Sequence, residues 1–295
     1  MFRGARIANS STAVEGASML TGKTTLIAHL GYPTETFKAP MIYNPWFERR
    51  GIDAIVVPMG VKAQDYAVAL DALSRFTNLR GALVTMPHKN ATLALVAQAT
   101  SAARIAGACN ALLRLPDGTW LGDQFDGAGF VHGVQRKGRS IEGARVLIAG
   151  SGGVGSAIAA SMAQAGAVQI SLFDANAASA EALRDRLLAH YPRLDVRTGS
   201  NDPAGYDMVV NATPLGMKDD DPLPFDVERI APGTFVGEVV MKSEYTPLLR
   251  AAQARGCPVQ VGTDMLFEMI PACLAFFGFG TATPDELRAV ARIQY

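Results

Sequence analysis

An α/β protein of two domains is what this sequence predicts, and three observations carry the prediction. From residue 25 onward, short apolar runs alternate with helix-like stretches, the pattern of a parallel or mixed sheet covered by helices. The apolar run Val146-Leu147-Ile148-Ala149 ends in Gly150-Ser151-Gly152-Gly153-Val154-Gly155, which opens a helix-like stretch. A second strand-like run, residues 169–173, ends in Asp174 about twenty residues further on.

The elements follow in order. Residues 26–30 read as a strand ending at Gly31, 40–50 as a helix with Pro40 at its start, and 54–59 as a second strand. Residues 64–76 have the spacing of an amphipathic helix. Residues 81–86 form a strand stopped by Pro87, and 90–100 and 101–105 look helical. Residues 110–115 and 119–122 flank Pro116-Asp117-Gly118, a turn signal that predicts a hairpin. A helix over 125–137 leads through a Gly-bounded linker, 138–143, into the second domain. Strands are expected there at 146–149, 169–173, 194–198, 208–211, 234–239 and 258–261. Helices at about 264–277 and 284–293 are expected to pack back on the first domain, leaving a cleft between the two. The expected division is a disordered extension over 1–20, a substrate domain over 21–137 joined by the 264–295 helices, and a dinucleotide-binding domain of Rossmann type over 138–263.

The glycines of that second domain have separate tasks. Gly150 suits a tight turn, Gly152 lets backbone approach a phosphate, and Gly155 permits close helix–strand packing, while helix-terminal N–H groups face the pyrophosphate. Asp174 can accept hydrogen bonds from the adenosine ribose and repels a 2′-phosphate, which predicts NAD in preference to NADP. A Gly-rich turn alone can be merely structural; both flanking strands and the spaced acid favour the cofactor.

Composition excludes other classes. Lys+Arg and Asp+Glu number 27 each, so no basic surplus points to nucleic acid. Cys109, Cys257 and Cys273 lie far apart with no metal or disulfide spacing, and His29, His88, His132 and His190 show none either, so no metal is expected. No run is long and apolar enough for a membrane span, and the first residues lack the apolar core of a signal peptide. Gly22-Lys23-Thr24 resembles the end of a phosphate loop, but Ala17 stands where that motif needs glycine. A cytoplasmic enzyme acting on a small molecule, as monomer or homodimer, is the default.

Two clusters could do chemistry. Val84-Thr85-Met86-Pro87-His88-Lys89 puts a lysine beyond a strand end, where ligands gather in α/β sheets. Read alone, Lys89 is first of all a solvated charge, since lysines are seldom buried. Gly122-Asp123-Gln124-Phe125-Asp126-Gly127 supplies a carboxylate that could orient such a lysine, or simply cap a helix. Asn110, after Gly107-Ala108-Cys109, can bind a hydroxyl or form a turn.

With Thr21-Gly22-Lys23-Thr24, Asn211-Ala212-Thr213-Pro214-Leu215-Gly216-Met217 and Thr246-Pro247-Leu248-Leu249 added in order, the chain resembles the shikimate dehydrogenase family from Thr21 to its end. The resemblance implies reversible reduction of 3-dehydroshikimate with a nicotinamide cofactor, quinate being oxidised by some members. It implies a catalytic pair in Lys89 and Asp126, hydroxyl contacts from Thr85 and Asn110, and a cofactor cleft lined by Asn211, Thr213, Pro214, Val239, Gly262 and Met265, together with Gly150, Ser151, Gly152, Gly153, Val154 and Gly155. Where NADP-preferring members end the second strand in Asn-Arg-Thr, this chain has Asp174-Ala175-Asn176.

The substrate end departs from the family. Phe37 and Ala39 replace two serines, Leu83 an asparagine, Met241 a tyrosine and Met269 a glutamine. Five polar groups have become apolar, through core packing or through an altered substrate pocket, and weak binding of ordinary shikimate is expected; a quinate or aminoshikimate dehydrogenase, a dehydrogenase of a more apolar cyclic alcohol and a catalytically weak NAD-binding sensor are the alternatives, the last disfavoured by retention of both Lys89 and Asp126. Thr34, Thr36, Lys38 and Tyr43 are the candidates to hold a carboxylate instead.

Overall fold

The computed structural model describes residues 20–218 and 220–295; the extension expected over 1–20 lies outside them, Leu20 apart. The first half comprises β1 (Thr25–Gly31), α1 (Pro40–Arg50), β2 (Ala54–Gly60), α2 (Tyr66–Leu73), β3 (Leu79–Val84), α3 (Lys89–Leu93), β4 (Gln98–Ala99), α4 (Ser101–Ala106), β5 (Ala111–Arg114) and β6 (Trp120–Asp123). Their sheet has the order β2-β1-β3-β5-β6-β4 and is mixed: β3, β5 and β6 run antiparallel in turn, the other pairs parallel.

After α5 (Asp126–Arg136) come β7 (Arg145–Ala149), α6 (Gly153–Gln164), β8 (Gln169–Phe173), α7 (Ala177–His190), β9 (Asp195–Thr198), β10 (Met208–Asn211), β11 (Phe235–Glu238), α8 (Pro247–Ala254) and β12 (Val259–Gln260). This sheet is wholly parallel, in the order β12-β11-β10-β7-β8-β9. The strand order reverses between β7 and β10, and open α/β sheets bind ligands at such a point, beyond the strand ends. The strands read as continuous apolar runs because helices cover both faces. Phe130, Ile158 and Leu183 pack on one side; Leu248, Leu249 and Ala252 pack on the other.

The last two helices, α9 (Gly262–Phe277) and α10 (Pro284–Val290), lie against the first half. Ile270, Leu274, Phe277 and Leu287 share a core with Ile27, Ile42, Phe47 and Val56. Helix α5 lies against both α6 and α9 and so joins the halves. Among the described residues no helix is long and apolar enough to cross a membrane.

One element differs from expectation. The helix read over 90–100 stops at Leu93, and Gln98–Ala99 instead pairs with β6 as an edge strand. Ala97 N–H donates to Trp120 O and Thr100 N–H to Gly122 O, so sheet pairing overrides the helical propensity of this Ala- and Leu-rich stretch.

Candidate active site

Lys89 is the first residue of α3, just past the end of β3. Its Nζ donates to Asp126 Oδ2 at 2.6 Å, with the two side chains 12% and 2% exposed. The solvated-lysine reading therefore fails, and Asp126, the first residue of α5, caps no helix with its side chain. Asp126 Oδ1 accepts from Asn110 Nδ2 at 2.9 Å, and Asn110 Oδ1 accepts from Phe125 N–H at 2.9 Å. Asn110 is thus locked in orientation, and its amide meets Met269 Sδ at 3.7 Å, a weak partner that a substrate oxygen can replace. Asp123 serves Gln124 N–H and the Thr100 hydroxyl instead.

A cavity spans the two halves at this pair. Its wall holds Lys89, Asp126, Thr85, Asn110, Phe37 and Ala39 from the first half and its junction helix, with Met265 and Met269 from α9. From the second half come Val154, Thr213, Pro214, Val239 and Met241. Of the expected cofactor residues, Gly150, Ser151, Gly152, Gly153, Gly155 and Asp174 lie outside the cavity lining, and so do Asn211 and Gly262. Asn211 is fully buried, and its side chain braces Thr213, Leu215 and Glu238. Gly262 sits where a Cβ would lie 2.4 Å from Val240 O, so it allows the close start of α9. Both support the cleft from behind.

The Gly-rich loop fits a dinucleotide. Gly150 has φ +98°, a conformation other residues rarely adopt, and a Cβ there would meet Ala212 O at 2.5 Å, across the switch point. A Cβ on Gly155 would sit 1.9 Å from Gly150 O. A Cβ on Gly152 would meet nothing within 4 Å, which leaves open space at the helix start, and no described side chain caps α6. Uncapped N–H groups of this kind suit an anion such as a pyrophosphate. Asp174 accepts from Ser151 N–H at 2.7 Å and from Asn176 N–H at 2.8 Å, which holds its carboxylate beside the loop. Gly153 faces Lys89, whose Cβ would be 2.8 Å from a Cβ at 153.

Two buried polar residues, one behind the site and one in its wall, escaped the sequence reading. Glu238 is fully buried and receives Val239 N–H, Val240 N–H, Asn211 Nδ2 and the Thr246 hydroxyl. Burial outweighs these donors and pushes its carboxyl up to about 7. His29, in β1, lines the cavity. Burial, aided by the Lys89 charge, pushes its imidazole down to about 3, so it is neutral. A lone polar residue inside an apolar strand was the signal for it.

Among the candidates to replace the missing serines, Thr36 and Lys38 line the cavity, whereas Thr34 opens onto a separate surface hollow and Tyr43 is buried away from both. The Lys38 ammonium donates to the Gln294 carbonyl and lies over the Tyr295 ring. His88 is spent on shaping its loop, bonded to Val61 O and stacked on Tyr66.

Comparison with known proteins agrees with this geometry. Residues 30–112 match the shikimate dehydrogenase substrate binding domain. A shikimate dehydrogenase (NADP(+)) of Acidiphilium cryptum is 37% identical over 276 residues, 92% of this chain and 98% of that protein. A quinate dehydrogenase of Corynebacterium glutamicum, solved in complex with NAD, superposes with a TM-score of 0.80 at 26% identity, over 90% of this chain and 98% of that one. A Listeria monocytogenes shikimate 5-dehydrogenase, solved with shikimate and NAD, shares the fold at 24% identity and a TM-score of 0.82, over 93% and 98% of the two chains.

Proposed function

The chain belongs to the shikimate dehydrogenase family, nicotinamide-dependent oxidoreductases acting on CH–OH groups, and we propose that this member reversibly oxidises a ring carbinol of shikimate or a related cyclic hydroxy acid to its 3-dehydro ketone, with NAD preferred to NADP and ordinary shikimate bound weakly. The observation that carries the proposal is the Lys89–Asp126 pair, opening into the same cavity as the cofactor-side residues.

A bound nicotinamide would supply the hydride acceptor for the carbinol carbon. Lys89 Nζ hydrogen-bonds the carbinol oxygen and carries its proton; in reverse its N–H donates to the carbonyl oxygen and returns the proton. Asp126 fixes the lysine, and Asn110 fixes Asp126 while offering its second amide hydrogen to a substrate hydroxyl. Thr85 lines the cavity beside them. The cofactor preference rests on Asp174 at the end of β8; the curated relatives are named as NADP(+) enzymes, and the carboxylate is the departure that supports NAD here. Phe37, Leu83, Met241 and Met269 on the wall favour a second reading, a less polar cyclic alcohol, with quinate and aminoshikimate as further candidates.

NAD and NADP reduction measured in parallel with shikimate, quinate and an aminoshikimate tests the proposal. Turnover should favour NAD, and Lys89→Ala should cut kcat by about 10²–10⁴ while leaving NAD affinity in place. A Lys89→Ala enzyme with unchanged kcat would sink the assignment.

A further inference from the structure

The cleft wall around His29 is apolar. The β1–β3 register pairs His29 with Leu83, and both side chains line the cavity. Phe37 lies against the His29 ring with centroids 4.1 Å apart. Apolar side chains thus flank His29 at two of the positions where the family resemblance places polar ones. Of the cations lining the cavity, Lys89 is paired with Asp126, whereas Lys38 donates to the Gln294 carbonyl and has no carboxylate partner among the described residues. Lys242 touches the cavity from an exposed position.

His29 is 7% exposed, and its Nδ1 is buried with no partner among the described residues. A buried polar atom left unpaired is costly, and in a binding cleft the missing partner is supplied by ligand. We propose that His29 is a specificity-determining residue: it hydrogen-bonds an uncharged oxygen substituent of the ring substrate, at the end of the cleft where the family resemblance places a carboxylate. This rests on the reading of the site as a ring-carbinol dehydrogenase. The substrate class is a cyclic polyol bearing a hydroxyl, ester or carbonyl group there. The Phe37 and Leu83 walls strengthen the contact by excluding water, and they penalise a carboxylate placed against His29, which would lose its hydration to two apolar side chains.

The test uses shikimate and its methyl ester on the wild type, His29→Leu and His29→Asn. Kinetics are read by NAD reduction, and binding by calorimetry on the NADH-saturated protein. The wild type should prefer the ester about tenfold or more in kcat/KM. His29→Leu should raise the ester KM about tenfold with kcat little changed and NAD affinity intact, and His29→Asn should recover part of the loss. The inference is overturned if the acid outperforms the ester, if the ester does not bind at millimolar concentration, or if His29→Leu leaves the ester KM and Kd unmoved. It is overturned too if His29→Leu weakens NAD and ester alike, as general unfolding would. Ester binding that requires His29, without turnover by any variant, would uphold this inference and defeat the proposed oxidation.

Discussion

Replacing Asp126 with asparagine removes one charge and almost no volume, and the surrounding hydrogen bonds set its effect. Asp126 offers one oxygen to Lys89 and the other to Asn110. An asparagine has a single carbonyl oxygen, so one of those donors must face an amide N–H. Asn110 cannot turn over to compensate, because its own oxygen accepts Phe125 N–H. The least costly arrangement keeps the carbonyl on Lys89 and loses the bond to Asn110, leaving the lysine, only 12% exposed, without a counter-charge. Losing a hydrogen bond to a charged group costs about 1.5–3 kcal/mol, and breaking a buried pair about 3–5. A loss of about 3 kcal/mol corresponds to roughly a hundredfold in rate. Steady-state NAD reduction should show Asp126→Asn with kcat about 10²-fold lower, while NAD binding, followed by protein fluorescence, stays within about twofold of the wild type. An unchanged kcat would refute the orienting role. Equal losses in kcat and NAD affinity would show that the cluster holds the fold rather than the lysine.

The buried Glu238 carboxyl makes stability depend on pH. Its folded value, about 7, lies above the ordinary 4.5, so the folded protein holds the proton more tightly than the unfolded chain. Its contribution is therefore full below about pH 4.5 and is lost as pH rises through about 7, a change of about 3 kcal/mol. Glu238→Gln should flatten the wild-type decline in Tm between about pH 5 and pH 8 in thermal melts, and parallel curves would refute the assignment. At the cofactor end, Asp174→Asn keeps an acceptor for Ser151 N–H and removes the negative charge. The NADP-to-NAD ratio of kcat/KM should rise about tenfold or more, and a fixed ratio would show that another group sets the preference.

Legibility in the sequence followed the range of the determining interactions. The Gly150–Gly155 turn and Asp174 were readable because backbone geometry at a switch point tolerates few residues, and local spacing records that demand. The hairpin was readable from Pro116-Asp117-Gly118, again a local signal. The 90–100 stretch was misread because its end is set by pairing with β6, a contact no local pattern encodes. His29 was read only as a histidine without metal spacing; its meaning needed the β1–β3 register and the approach of Phe37. Glu238 was visible in sequence, but its role as acceptor for both Asn211 and Thr246 depends on segments brought together only by folding.

The same geometry explains how the substrate end can drift while the chemistry persists. Lys89, Asp126, Asn110 and Phe125 N–H form a closed chain of hydrogen bonds, none of which reaches His29, Phe37 or Leu83 among the described residues. Its one polar contact with the altered wall is the weak approach of Asn110 to Met269 Sδ. Toward the cofactor the coupling is tight: a side chain at 153 would collide with Lys89, so the glycine at the start of α6 also sets how near the lysine comes to the dinucleotide cradle. Substitutions at 37, 39, 83, 241 and 269 can therefore change which ring the cleft accepts without breaking the Lys89–Asp126 pair proposed for proton transfer. A change at 153 or 126 cannot be made without disturbing that pair.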